Sequence, residues 1–226
     1  MSIATLILGE SGTGKSASLR NLDSEKVLLI QVVPKPLPFK STSWKPLKKD
    51  KETGLLTGSV FVTDNPEQIC NAIMKSEKDI IIIDDYQYIM ANEFMRRGSE
   101  KGFDKFTEIG VHGWQVVDCA SKAHSEKRVY ILAHTQSDDL GKIKIKTIGK
   151  MVDEKITLEG LFTICLRTQV SGGEYKFSTQ NNGSDTVKSP IGLFQESEID
   201  NDLNLVDNAI CDYYDIKPQT TSEQEN

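Results

Sequence analysis

Apolar residues fall into short unbroken runs separated by segments with helical spacing. "IATLIL" (3–8), "KVLLIQVV" (26–33), "SVFVT" (59–63), "DIIIIDD" (79–85) and "RVYILAHTQ" (128–136) have the length and continuity of strands buried on both faces. After the first run, "KSASLRNL" suits a helix. "DNPEQICNAIMK" (64–75) supplies a polar cap, a proline in the first turn and apolar residues at helical spacing. Phe103, Phe106, Gly110, Trp114, Val117 and Ser121 fall on one stripe of a long helix. Such alternation predicts an α/β fold with a mainly parallel sheet between helices.

The C-terminal third changes character. "GLFTICLRTQV" and "EYKFSTQ" flank "SGG" (171–173) and predict an antiparallel hairpin added to the sheet. "SEIDNDLNLVDNAICDYY" (197–214) has the spacing of a closing amphipathic helix. One domain is therefore expected over residues 1–214, followed by a polar, disordered tail at 215–226.

Composition narrows the class. With 226 residues and 38% apolar content the chain can bury a full core. No run is long or apolar enough to span a membrane, and the first residues lack the features of a signal peptide, so a cytoplasmic protein is expected. Cys70, Cys119, Cys165 and Cys211 stand singly, without the paired spacing of a zinc or redox site. A net charge of −6 excludes a uniformly basic coat and leaves local basic patches open.

The junction after the first strand carries the chemistry. "GESGTGKS" (9–16) matches G-x-x-x-x-G-K-[ST], a loop that binds phosphate when it joins a strand to a helix. Gly9, Gly12 and Gly14 let the backbone turn tightly and aim N–H groups inward, together with Glu10, Ser11, Thr13 and Ala17. The following helix adds its positive end. Lys15 offers a cation to the β and γ phosphates of ATP, and the Ser16 hydroxyl can ligate Mg²⁺. Asp84, at the carboxyl end of the "IIIIDD" strand, is the second metal candidate. Asp85 either orients the attacking water or caps the next helix. Gln136, with His134 and Thr135 as alternatives, is positioned to sense the γ-phosphate from the end of its strand.

These segments together resemble the RecA-like P-loop ATPases, and the chain is similar to small ATP-binding proteins of bacteriophage replication and recombination modules. The resemblance implies ATP hydrolysis with Mg²⁺ in a bacterial host cell, a homo-oligomer, and single-stranded DNA or phage recombination and single-strand-binding proteins as partners. Aspartate at 85 departs from the glutamate common in such ATPases. The segments matching the family's DNA loops hold Arg96, Arg97 and Lys101, and then Lys142, Lys144, Lys146 and Lys150. Lys150, Lys155 and Arg167 are candidates for a residue supplied to a neighbouring subunit. Independently of the family, "KPLPFKSTSWKPLKKDK" (35–51) places lysines around Phe39 and Trp44, a mixture suited to single strands; the alternative is that the rings pack back on the sheet. Two other functions compete: a non-hydrolysing, ATP-gated adaptor, and a P-loop kinase, against which the scarcity of arginine argues.

Overall fold

The buried runs become neighbouring strands of one nine-stranded sheet in a computed structural model that describes residues 1–49, 51, 56–149 and 151–216. In chain order the elements are β1 (Ile3–Gly9), β2 (Val27–Gln31), β3 (Lys48–Lys49), β4 (Leu56–Thr57), β5 (Val60–Val62), α1 (Pro66–Lys75) and β6 (Ile80–Asp84). They continue with α2 (Gln87–Arg96), α3 (Asp104–Lys122), β7 (Arg128–Ser137), β8 (Ile143–Ile145), β9 (Ile164–Ser171), β10 (Glu174–Ser178), β11 (Glu198–Asp200) and α4 (Leu203–Tyr213). The main sheet runs β11-β10-β9-β1-β7-β6-β2-β5, with β8 paired to β7, while β3 and β4 form a separate ribbon. The six strands from β9 to β5 are mutually parallel, and β10 and β11 continue the β9 edge antiparallel.

Period-two alternation divides the core. Leu6, Leu8, Ile81, Ile83, Val129 and Ile131 point to a cluster that includes residues of α1, α2 and α3. Ile7, Ile82, Tyr130 and Leu132 point the other way, onto Leu203, Val206 and Ile210 of α4. The expected sheet between helix layers is thus present. Helix α1 starts as its sequence implies: the Asn65 side chain accepts the Gln68 N–H at 3.0 Å, and Pro66 occupies the first turn. Gly172 (φ 59°) and Gly173 (φ 86°) form the β9–β10 turn, where two left-handed residues match the twist of a tight hairpin.

Two helical expectations are corrected. The segment after the glycine-rich turn is only a six-residue 3-10 helix, Ser16–Asn21. Its Ser18 hydroxyl donates to the Lys15 carbonyl at 2.6 Å, and Leu22 is already extended. A helix this short adds little dipole to any anion site. The closing helix is also shorter than 197–214, because Glu198–Asp200 pairs with β10 as β11 and α4 begins only after Asp202. The Asp202 carboxylate accepts the Asn204 N–H at 3.0 Å and fixes that start. Of the expected tail, residues 217–226 lie outside the described residues.

A buried ion pair fastens α4 to the sheet. Asp207 accepts from Arg128 Nε and Nη2, each at 3.0 Å, and from the Tyr130 hydroxyl at 2.6 Å. Burial and the Asp207 charge push the Tyr130 hydroxyl well above its ordinary pKa. Asp207→Ala leaves a guanidinium and a phenol in the core without their acceptor. It is expected to lower the unfolding free energy by about 3–5 kcal/mol, measured by urea titration. A loss under about 1 kcal/mol would show that α4 is held by apolar packing alone.

Candidate functional site

In-register parallel pairing brings several strand ends to one edge. Gly9 lies opposite His134, and Gln31 lies opposite Asp84. Strand β7 separates β1 from β6, so the turn after β1 and the acid at the end of β6 meet across one intervening strand. The Ser16 hydroxyl donates to Asp84 Oδ2 at 2.9 Å and lies 3.0 Å from Oδ1. Asp84 is almost wholly buried, and this burial, together with neighbouring Asp85, raises its pKa.

The turn itself is held from beneath. Gly12 (φ 81°) and Gly14 (φ 99°) take left-handed conformations, which an L side chain would strain. Gly9 is required for space: a Cβ there would lie 1.9 Å from Thr168 Oγ1 and 2.7 Å from Thr13 Oγ1. Those two hydroxyls are hydrogen-bonded to each other at 2.6 Å, tying the turn to β9. Lys15 folds back, and its Nζ donates to the Gly9 and Glu10 carbonyls, both at 2.8 Å. Burial lowers the Lys15 pKa to about 8 against the opposing pull of Asp85 and Asp84.

Asp85 is held in the left-handed region (φ 64°), unusual for a residue with a side chain. The chain must reverse there because fully buried Tyr86 is anchored on α3, its hydroxyl donating to the Gly113 carbonyl at 2.8 Å. The carboxylate does not cap α2, which starts at Gln87 with no side-chain cap. It faces a cavity of about 480 Å³ lined by the glycine-rich turn, Lys35, His134 and Tyr175. Lys35 Nζ donates to Asp85 Oδ2, and His134 Nε2 lies 3.5 Å from Oδ1. Burial alone would raise the Asp85 pKa, but His134 and Lys35 prevail and hold it below its usual value. Burial likewise opposes the Lys35 charge, and Asp85 overcomes it, raising the lysine pKa. The Gln31 side chain donates to the Lys35 carbonyl at 3.0 Å and fixes where the lysine leaves the sheet.

The residues expected at this site therefore divide. Lys15, Ser16, Asp84 and Asp85 converge, whereas Gln136 does not line the cavity. Its amide donates to Asp153 Oδ1 at 2.6 Å, in the direction of the β7–β8 hairpin. The residue of β7 that lines the cavity is His134, one of the two alternatives to Gln136. Lys35, read in the sequence only as part of the basic segment 35–51, and Tyr175 were not expected at this site. One lies in an irregular segment and the other in a hairpin far along the chain, so no local pattern directs either to the glycine-rich turn.

The basic candidates are largely neutralised internally. Arg96 pairs with Asp64 at 2.6 Å, and Arg97 binds Glu93, Glu100 and Glu108. Lys144 pairs with Asp153 at 2.8 Å, and Arg167 with Asp185 at 2.9 Å. Lys142 and Lys146 are exposed and make no ion pair among the described residues; Lys150 lies outside them. The stacking role of residues 35–51 is overturned: Trp44 is buried in the core and Phe39 packs edge-on against it at 6.0 Å. Burying an indole releases far more water-exposed apolar surface than a free stacking platform would.

Among the described residues, no three His, Cys, Asp or Glu side chains group to hold a metal. Ser16 and Asp84 nevertheless suit Mg²⁺, which takes one or two protein oxygens and fills its shell with water and phosphate. Among the described residues, no helix is long and apolar enough to cross a membrane. No protein-family model matches the chain, and a comparison with curated proteins finds no match either.

The contact between the turn and β9 can be tested directly. Gly9→Ala forces its methyl into Thr168 and is expected to cost about 1–3 kcal/mol of stability. Thr168→Ala removes the clashing hydroxyl and is expected to recover much of that loss, measured as a double-mutant cycle by thermal unfolding. Additive effects would show that the two residues do not meet.

Proposed function

We propose that the chain binds Mg·ATP on the glycine-rich turn and hydrolyses its γ-phosphate. The observation that carries this reading is that Lys15 and Ser16 line one edge cavity while Ser16 is hydrogen-bonded to buried Asp84 behind it, the two segments coming from strands separated by a third. Two oxygens already bridged by a proton, one of them a buried carboxylate, form a site that a divalent cation can enter in place of that proton. Mg²⁺ there would draw negative charge off the phosphates. Lys15 leaves the Gly9 and Glu10 carbonyls to meet the β and γ phosphates, and the turn offers its backbone N–H groups.

Asp85 takes the position of the water-orienting group. Held ionised by Lys35 and His134, it is a weak base, and it acts by positioning water more than by accepting a proton early. Its ion pair with Lys35 also supports the second reading, an ATP-gated adaptor that does not hydrolyse, since the carboxylate is engaged elsewhere until Lys35 moves. The kinase alternative gains nothing, because no arginine is among the described residues that line the cavity. Any contact to single-stranded DNA draws on the exposed candidates without an ion pair among the described residues: Lys101, and Lys142 and Lys146 at the β7–β8 hairpin.

Lys15→Ala is expected to reduce ATP turnover by a factor on the order of 10²–10³, the effect of removing one charge-stabilising donor. Asp84→Asn should weaken Mg·ATP binding, whereas Asp85→Asn should keep a non-hydrolysable analogue bound and lose turnover. Wild-type turnover in a folded Lys15→Ala variant would overturn the proposal. ATP binding without measurable turnover in the parent protein would select the adaptor.

For DNA, the double variant Lys142→Ala, Lys146→Ala is expected to flatten the salt dependence of oligonucleotide affinity by about 1.4, two phosphate contacts at about 0.7 each. Fluorescence anisotropy across a salt series measures it. An unchanged slope would remove the hairpin as a DNA contact.

A further inference from the structure

A second cavity of about 500 Å³ adjoins the first, and Ala17 and Tyr175 border both. We infer that this cavity holds the nucleoside of the bound nucleotide by stacking its base on Tyr175 without reading the base edge, so that ATP and GTP are accepted alike. This rests on the proposed phosphate site.

The geometry sets the direction of the ligand. Lys15, Asp85 and His134 line only the first cavity, so the terminal phosphate lies there and the remainder of the nucleotide leaves past Ala17 and Tyr175. The second cavity has the volume of an ordinary small-ligand site. The Tyr175 ring is half exposed, pairs with no other aromatic ring among the described residues, and lies against Gly14: a Cβ there would be 3.0 Å from Tyr175 Cδ1. Half-exposed Leu205 of α4 adds an apolar surface to the same cavity. An aromatic face and an aliphatic one suit a flat base.

Edge recognition needs a desolvated polar group left unpaired for the ligand, because only such a group penalises the wrong base heavily. Among the described residues, this cavity presents no such group to a ligand. Lys176 is paired with Asp200 at 2.7 Å and lies 3.5 Å from Glu174, and both carboxylates are well exposed to water. Arg20 donates through Nη1 to the Ala17 and Asn201 carbonyls at 3.2 and 2.5 Å, and the side chain is exposed, so its other N–H groups are hydrated and not desolvated. Asp202 is occupied by Asn21 and the start of α4. Asn201 Nδ2 is unpartnered, but it is sealed from solvent, its side chain packed against Gly14 where a base cannot reach it. Stacking remains, and every base has a π face.

The test titrates the full chain, with Mg²⁺, against non-hydrolysable ATP and GTP analogues and inorganic tripolyphosphate. The two analogues are expected to bind within about tenfold of each other. Tyr175→Ala should weaken both analogues about ten- to a hundredfold more than it weakens tripolyphosphate, and Tyr175→Phe should restore them. A preference for one purine of about a thousandfold or more would overturn the inference. So would unchanged analogue affinity in Tyr175→Ala; in either case, retained binding of tripolyphosphate would leave the phosphate site standing. If neither tripolyphosphate nor the analogues bind the parent protein, both readings fall together.

Discussion

The withdrawal of the Asp84 carboxylate from water is the constraint around which this edge of the sheet is organised. A charge at the end of a buried strand is costly unless donors meet it. The Ser16 hydroxyl meets it directly, and Lys15 and Lys35 add their fields from either side. This compensation requires the turn after β1 to reach β6 across β7, and hence the parallel register that ends these strands together. The packing of the core and the chemistry of the edge share one cause.

Backbone conformation at the site follows from anchors placed elsewhere. Tyr86 is locked on α3, so Asp85 must bridge from β6 to α2 in a left-handed conformation, a cost on the order of 1–3 kcal/mol. That conformation aims the carboxylate at the cavity and away from the helix. On the opposite side, Thr168 and Thr13 clamp the turn, and Tyr175 and Asn201 press on Gly14. The C-terminal hairpin is therefore a wall of the site. In the proposed reading it supplies what the ligand's base rests on.

Charge is used mainly inside the molecule. Arg97 gathers three carboxylates, and Lys105 ties the α2–α3 connection by donating to the Arg97 and Glu100 carbonyls at 3.2 and 2.7 Å. Several of the basic residues that look like a nucleic-acid patch in the sequence, Arg96, Arg97 and Lys144, are partners for acids. Exposed pairs of this kind add little stability each, yet they cancel the local field that would draw a polyanion.

Continuous apolar runs at strand length were enough to read the parallel sheet, because burial on both faces leaves a local signature that no partner has to be known to see. The glycine pattern with Lys15 and Ser16, and the acid closing β6, were legible for the same reason: each is a local requirement of turn geometry or strand end. What folding alone decided were pairings between distant segments. The choice of His134 over Gln136 depended on how far β7 runs before its hairpin, and β11 formed where helical spacing was read because the β10 edge offered hydrogen bonds to it. Lys35 met Asp85, Trp44 entered the core, and Arg96 found Asp64 through contacts spread along the chain, whereas Arg97 pairs with acids of its own neighbourhood, Glu93 and Glu100. A side chain's charge is written in its own residue, but whether that charge is free depends on neighbours that only the tertiary structure brings.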